Sequence, residues 1–182
     1  MFEEKGLKKE TKLLVYKAVV LLSLLYSSES WTTYRRHLNA LEKYHQRCLR
    51  RILGVTWQDR RTNCSILDEA HCTSIEAMIT ENQLRWTGHV VRLKDSRLPK
   101  QILFGELGSG TRAQGGQRKR FKDNLKANIK ACHIDLMAWE DLARDGPRWR
   151  SAVREGVTLF EKERRRKAEE KRQRRKERDA AP

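Results

Sequence analysis

The stretch Trp31–Asn63 constrains the fold more than any other part of this sequence, because its apolar and cationic residues follow separate helical patterns. The apolar residues recur at steps of three and four, so a helix places them on one stripe. The stripe holds Tyr34, Leu38, Leu41, Tyr44, Cys48, Ile52 and Leu53, and the cations Arg35, Arg36, Lys43, Arg47, Arg50 and Arg51 lie mostly off it. We predict a helix over 33–53 with one face for a core and one face for an anionic partner. Thr32 or Thr33 can cap its start, and Gly54 can end it.

Apolar patterns predict further helices before and after this stretch. The run Lys12–Tyr26 is apolar almost all round, which indicates a central helix that is buried on most sides. Residues 73–76 match a capping box, with Thr73 as the cap and Glu76 three residues on. The helix that this box opens should run to about Leu93.

The C-terminal third of the sequence has short stretches of helically spaced apolar residues, and residues 161–179 have no such spacing. The spacing from Phe121 onward predicts a helix that ends near Cys132, and Asp135 can cap a short helix after it. The triplet at 145–147 has a proline in the first-turn position of one more helix. From 161 to 179, acidic and basic residues alternate at helical spacing without an apolar stripe, which is typical of a solvated charged helix or a disordered tail.

These patterns predict an all-α fold: a small helical bundle with a flexible basic loop and a long charged C-terminal helix or tail. No segment shows the alternation of a convincing β-strand. The predicted segments are a frayed N-terminus (1–11), a helical core (12–107), a Gly/Arg-rich basic loop (108–120), C-terminal helices (121–160) and the charged helix or tail (161–182).

The charge of the chain indicates its class of partner. It has 182 residues and a formal net charge of +16. Charged residues make up 35% of it, against about 25% in ordinary domains, and the excess is basic. This excess favours a polyanionic partner, most simply nucleic acid. A basic accessory protein of the ribosome or chromatin is the plainer alternative, and it indicates the same partner.

Cations beside aromatic side chains form the best candidate binding site. Such a pattern suits a single strand or an RNA–DNA hybrid, because the charges track phosphates while the rings stack on bases. The candidate contacts are Arg47, Arg50, Arg51, Trp57, Arg60, Arg61, Arg85, His89, Arg92, Arg112, Arg118, Lys119, Arg120 and Lys122. The alternative is that the charge runs are merely solvated faces and that the tryptophans, Trp86 above all, belong to the core.

Patterns for catalysis and metal binding are weak. The acidic residues are scattered without an Asp-Asp pair, and no glycine-rich phosphate loop leads into Lys-Ser/Thr. We therefore predict a protein that is not an enzyme and needs no cofactor. Among the metal candidates His45, Cys48, Cys64 and Cys72, only His45 and Cys48 are spaced like a ligand pair, whereas structural zinc sites need two such pairs. We favour buried, reduced thiols and surface histidines over a metal centre.

Four blocks of this sequence resemble, in order, the end of a non-long-terminal-repeat (LINE-type) retrotransposon reverse transcriptase. The blocks read LLVYKAVVLLSLLYSSESW, LEKYHQRCLRRILGVTWQDRRTN, QLRWTGHVVRL and LPKQILFGEL followed by RKRFKDNLKANIKAC. The resemblance runs from about residue 13 to residue 149. In that family such blocks form the helical thumb and the region after the polymerase palm. The resemblance implies a thumb-like core over 12–107. It also implies that the endonuclease and the catalytic palm of the parent polyprotein are absent from this chain.

The sequence departs from the family pattern in two places. Where the family has Tyr-Gly-x-Glu-Thr-Trp, this chain has YSSESW at 26–31, and a Gly-Arg-Pro-basic run is replaced by GQRK at 116–119. Losing glycine and proline changes turn geometry more than charge, so we expect the helical core to persist and the loop to loosen.

The leading hypothesis is a non-catalytic fragment that binds RNA, single-stranded DNA or a hybrid, mainly through phosphates. Two alternatives remain open: a helical protein-interaction module that self-associates through an exposed apolar face, and an unselected retroelement pseudogene product. We expect no membrane partner, because the apolar run is too short to span a bilayer. Basic runs at 164–167 and 174–176 predict nuclear residence, with a cytoplasmic pool as the alternative.

Overall fold

A computed structural model describes residues 6–105 and 119–180. Within these ranges the regular structure is helical and contains no strand, which confirms the all-α prediction. The predicted loop lies outside the described residues except for Lys119 and Arg120. The elements are α1 (Lys9–Val15), a π-helical segment (Tyr16–Leu21), α2 (Leu22–Leu24), a 3₁₀ turn (Ser28–Ser30), α3 (Arg35–Leu53), α4 (Asn63–Glu69), α5 (Ile75–Val91), α6 (Leu98–Phe104), α7 (Phe121–Ala131), α8 (Trp139–Arg144) and α9 (Gly146–Ala180).

Residue contacts divide the chain into two compact units, which we describe separately. Of the described residues, unit 1 holds those within Met1–Ser28, Thr33–Ile79 and Glu161–Pro182. Unit 2 holds those within Glu29–Thr32 and Thr80–Phe160.

Helix α3 supplies the largest share of the core of unit 1. It packs on α1 and α4, and Leu49, Ile66 and Leu67 are fully buried. The helix ends as predicted at Gly54, whose φ of 71° is the left-handed conformation that glycine adopts most easily. Its predicted cap is wrong. The chain is still extended at Tyr34, so the threonines before it lie too far back to reach the first turn, and no side chain caps the helix.

The prediction that Lys12–Tyr26 is buried on most sides is also wrong. Only Tyr16 and Leu21 of this run are buried, whereas four large apolar side chains are more than half exposed. These are Leu14, Val19, Leu22 and Tyr26. Unit 1 therefore covers one side of this helical run and leaves the other side to solvent. No helix in the described ranges is both long enough and apolar enough to cross a membrane.

The start of α5 uses a different cap from the predicted one. The Ser74 hydroxyl accepts a hydrogen bond from the Ala77 amide at 3.2 Å, because Ser74 directly precedes the first helical residue. The same hydroxyl donates to the Glu161 carboxylate at 2.6 Å. Glu76 does not complete a capping box with Thr73 but pairs with Arg35 at 2.8 Å.

Unit 2 is built around the indole of Trp149 at the start of α9. This side chain is fully buried, and its Nε1 donates to the Leu84 carbonyl at 2.9 Å. A Cβ added at Gly88 would come within 2.2 Å of the indole, so only glycine allows this approach. The predicted helix at 121–131 is confirmed and ends at Cys132. Asp135 does not cap the helix after it; its carboxylate accepts from the Met137 amide and forms a turn before α8 begins.

Helix α9 begins at the predicted turn and extends through the charged region. The Asp145 carboxylate accepts from the Arg148 amide at 3.0 Å, which caps its first turn. The residues from 161 onward continue as a helix to Ala180, so the structure selects the charged helix over the disordered tail. Pairs four residues apart, such as Arg166 with Glu170, accompany this part of the helix.

Candidate nucleic-acid interface

An open groove in unit 1 runs along the polar face of α3. Its volume is about 810 Å³, and its lining combines four cations with a single carboxylate. We call it the basic groove; it is lined by Asn39, Glu42, Lys43, Gln46, Arg47, Arg50, Arg51, Val55 and Asn63. The lining residues of α3 recur at three- and four-residue steps, so one face of the helix supplies most of them. A surface of this shape and sign suits a chain of phosphates.

The single acidic residue of the basic groove is occupied within the protein. Glu42 accepts a hydrogen bond from the Ile75 amide at 2.9 Å, and its other oxygen accepts from Gln46 Nε2 at 3.3 Å. The carboxylate therefore helps to hold the start of α5. It forms no ion pair with an arginine of the groove in the described part of the chain.

The arginines of the basic groove differ in how firmly they are held. Arg50 is positioned by two acceptors, the Arg61 carbonyl at 2.9 Å and Asn63 Oδ1 at 3.0 Å. Arg47 is exposed, and no hydrogen bond or ion pair engages it among the described residues. Arg51 is also exposed and makes an interaction within the protein. Arg47 is thus the groove arginine best placed to bind phosphate without breaking an existing contact.

The connector between α3 and α4 presents Trp57 to solvent. Its side chain is 83% exposed, so the alternative that Trp57 belongs to the core is excluded. The turn around it is closed by Asp59, whose carboxylate accepts from the Thr56 amide at 2.6 Å and from the Thr56 hydroxyl at 2.9 Å. These two bonds lower the pKa of Asp59, so the carboxylate that closes the turn is ionised at neutral pH. Arg60 follows with a positive φ of 47° and is exposed.

Other predicted contacts in both units are partly used by the protein itself. Arg61 pairs with Glu69 and donates to the Ser65 carbonyl at 3.2 Å, which ties the connector to α4. In unit 2, Arg92 donates to the Ala143 carbonyl at 2.6 Å. The Lys122 ammonium donates to the carbonyls of residues 104 and 105 at 3.1 Å each. These three cations therefore stabilise local structure.

The remaining candidates of unit 2 form no groove with one another that the structure describes. Arg85 and His89 are exposed on α5, and Arg120 is exposed before α7. Lys119 is half-buried and has an interaction within the protein. Trp86 is half-buried and packs edge-on against Phe121, with ring centroids 5.5 Å apart. Arg112 and Arg118 lie outside the described residues.

Sequence reasoning missed the polar residues that complete the basic groove. Asn39, Glu42, Gln46 and Asn63 were not among the predicted contacts, and Lys43 was noted only as a cation off the stripe. The signal for most of them was present, because 39, 43, 46 and 50 share a helical face. Asn63 lies outside α3, and only the folded connector brings it to Arg50.

Three of the four predicted metal candidates, His45, Cys48 and Cys72, have buried side chains. His45 was expected on the surface, but it is fully buried, and its Nδ1 lies 2.7 Å from the Tyr16 hydroxyl. Burial lowers the pKa of His45, although the Glu42 carboxylate acts to raise it. All four cysteines are free, and burial raises the pKa of the Cys72 thiol and raises that of Cys132 to about 12. Within 6–105 and 119–180, no three His, Cys, Asp or Glu side chains converge as a metal-binding group.

Two arginines of the first basic run of α9 pair with a buried acid. Glu161 accepts from Arg164 at 2.8 Å and from Arg165 at 3.0 Å, and Arg165 also pairs with Asp68. Burial alone would raise the pKa of Glu161, but the donors from Arg164, Ser74 and Arg165 outweigh it and bring the pKa below its ordinary value. These arginines thus fasten α9 within unit 1.

Comparison with known proteins gives one informative match. No protein-family model matches the chain, and no solved structure matches it. An uncharacterized transposon-derived protein of Caenorhabditis elegans is 25% identical over 162 residues, which covers 82% of this chain and 56% of the relative. The chain therefore spans little more than half the length of the curated relative it matches. This similarity supports a transposon origin for the sequence.

Proposed function

We propose that this chain is a non-catalytic nucleic-acid-binding fragment derived from the C-terminal part of a LINE-type reverse transcriptase. The basic groove on α3 binds the phosphates of RNA, single-stranded DNA or a hybrid without reading base sequence. The observation that carries this proposal is the lining of the groove, where four cations face one carboxylate that is already hydrogen-bonded. The net charge of +16 adds a long-range attraction for the same class of ligand.

The resemblance and the comparison support the origin in different ways. The four sequence blocks are similar to the thumb and post-palm region of LINE-type polymerases, and the C. elegans relative is described as transposon-derived. The proposal assigns no bond-making step to this chain.

Salt dependence tests the groove directly. If about six phosphates are contacted, the slope of log affinity for a single strand against log salt concentration should be about −4 to −5. Reversing two groove charges, Lys43→Glu with Arg47→Glu, should weaken binding by more than tenfold and make the slope shallower by about two contacts. Fluorescence anisotropy with a labelled oligonucleotide measures both quantities.

A matched control separates the groove from the overall charge. Lys126 and Lys130 are exposed on α7 in unit 2 and are neither groove residues nor predicted contacts. Reversing both of them changes the net charge by the same amount as the groove variant. If the two double variants lose the same affinity, the binding is diffuse and the groove is not the site.

A helical interaction module is the second candidate function, and the exposed face of Lys12–Tyr26 favours it. Leu14 and Leu22 are 67% and 69% exposed, and Val19 and Tyr26 are also open to solvent. Exposed apolar side chains grouped on one helical run are typical of an interaction surface. Sedimentation at rising concentration tests this candidate: self-association that Leu14→Glu with Leu22→Glu abolishes would support it, and a strict monomer would argue against it.

Nuclear residence is part of the same proposal. The second basic run lies near the C-terminal end of α9 and is exposed at Arg174, Arg175 and Lys176. In the first run, Arg164 and Arg165 are paired with Glu161. The exposed run is therefore the better import signal. Alanine at these three positions should move a fluorescent fusion from nucleus to cytoplasm, and unchanged nuclear fluorescence would contradict the assignment.

A further inference from the structure

Trp57 has the most exposed aromatic ring in the described part of the chain, at 83%. Tryptophan usually contributes to stability by burying a large apolar area, and this ring makes no such contribution. Single exposed hydrophobic residues are common on protein surfaces, so exposure alone assigns no role. The position of Trp57 and the structure of its turn are what distinguish it.

The turn around Trp57 is ordered by its own hydrogen bonds. Asp59 accepts from the amide and the hydroxyl of Thr56, and the Arg60 amide donates to the Trp57 carbonyl at 3.2 Å. The backbone on both sides of the ring is therefore fixed before a ligand arrives. A ligand that packs on the ring pays little conformational entropy for ordering the loop.

The turn also begins at the basic groove. Val55 lines the groove, and its amide donates to the Arg50 carbonyl at 2.9 Å. Two residues span at most about 7 Å, so the Cα of Trp57 lies within that distance of the groove wall. Arg51 precedes Trp57 in the sequence and Arg60 follows it, and both arginines are exposed. An exposed aromatic residue therefore follows within two residues of the wall of the groove whose cations the proposed function assigns to phosphates.

We infer that Trp57 is a stacking platform for one unpaired base of the strand whose phosphates lie in the basic groove. The site would then prefer single-stranded RNA or DNA, or the unpaired end of a duplex, over a continuous duplex. The reason is that bases within a duplex already stack on both faces and offer none to a protein ring. This inference rests on the proposed function and adds the base contact that selects the strand.

An abasic strand tests the inference, because it keeps the phosphates and removes the bases. The probes are a labelled oligothymidylate of about twelve nucleotides, within the site sizes of single-strand binders, its abasic counterpart of equal length, and a blunt duplex. The unmodified chain should bind the normal strand about 5- to 150-fold more tightly than the abasic strand, the range expected for one base–aromatic stack. Trp57→Ala should abolish that preference, and Trp57→Phe should keep most of it.

Tyr26→Ala is the matched control, because Tyr26 is another ring of unit 1 and is 78% exposed. It should leave the preference unchanged, and circular dichroism should show that both alanine variants keep their helix content. Equal binding of the normal and abasic strands, or an unchanged preference in Trp57→Ala, would overturn the inference and leave the groove proposal standing. Failure to bind either strand would overturn the proposed function itself.

Discussion

Two arginine-rich regions of unit 1 look alike in the sequence and differ in what surrounds them. On α9, Glu161 is followed three and four residues later by arginines, and it pairs with both. On α3, the positions three and four residues after Glu42 are His45 and Gln46, so no arginine stands where a helical ion pair would form. Both arginines of the first region pair with Glu161, whereas Glu42 pairs with no groove arginine in the described part of the chain.

This difference shows that a run of basic residues stays available to an anionic ligand only where no nearby acid pairs with it. The carboxylate of Glu42 is turned to a backbone amide of α5, whereas that of Glu161 takes donors from Ser74 and two arginines. Unit 2 gives a milder version of the same distinction. There Arg92, which directly follows α5, is bonded to a carbonyl, and Arg85 on α5 is exposed.

The largest effect is expected on the α9 side of the comparison. Replacing Glu161 with glutamine removes the ion-pair partner of Arg164 and leaves Arg165 with Asp68 alone, and it should lower the free energy of unfolding by about 3 kcal/mol. Urea unfolding followed by circular dichroism measures this loss. Glu170→Gln is the control, since its pair with Arg166 is exposed and its loss should change stability by less than about 0.5 kcal/mol.

The pH dependence of the free energy of unfolding gives a second test of Glu161→Gln. The pKa of Glu161 is lowered in the folded protein, so its stabilisation is fully present above the unfolded pKa of about 4.3. That contribution is lost as the pH falls from there through the lowered folded pKa. The stability difference between the unmodified chain and the glutamine variant should therefore shrink as the pH falls through this window. A difference that stays constant would show that the carboxylate charge is not what holds these arginines.

A smaller effect is expected where a cation of unit 2 is bonded to a carbonyl. Arg92→Ala removes the bond to the Ala143 carbonyl and should lower the free energy of unfolding by about 1 kcal/mol. Arg85→Ala, on α5 just before it, should leave stability unchanged because its side chain is exposed. Thermal or urea unfolding of the pair measures the difference. If Arg92→Ala instead weakens RNA binding and leaves the free energy of unfolding unchanged, Arg92 contacts the ligand and does not stabilise unit 2.

The smallest effect is expected for a single groove cation. Arg47→Ala should make the slope of log affinity against log salt for a single strand shallower by about 0.7, the contribution of one phosphate contact. Arg166→Ala on α9 is the comparison variant, because that arginine already pairs with Glu170. Titrations at several salt concentrations measure both slopes. If Arg47→Ala and Arg166→Ala change the slope equally, the basic groove does not bind phosphates in preference to α9.

Much of the helical architecture could be predicted from the sequence, because helix periodicity and termination are local. The stripe over 34–53 and the stop at Gly54 predict α3 to within two residues, and the spacing from Phe121 predicts α7. The cationic face of α3 was predicted in the same way, since one helical face is set by residues three and four apart. For the same reason, the polar residues between those cations could have been added to the candidate site from the pattern alone.

The errors lie where burial depends on distant segments. His45 is buried because Tyr16, 29 residues away, packs on it, and Ser74 is fixed by Glu161 from 87 residues further along. The apolar run at 12–26 has the composition of a buried helix, but unit 1 supplies too little surface to cover more than one side of it. Asn63 joins the groove only because the connector folds back to Arg50.

The sequence by itself determined an all-helical chain of transposon-like character with a strong positive charge, because periodicity, composition and resemblance are properties of the residues alone. Only the tertiary structure decided that Glu161 is buried against Ser74, which cations line the basic groove and which aromatic ring is exposed. The physical reason is that a charge or a ring acquires its role from the groups packed around it, and those groups come from distant parts of the chain.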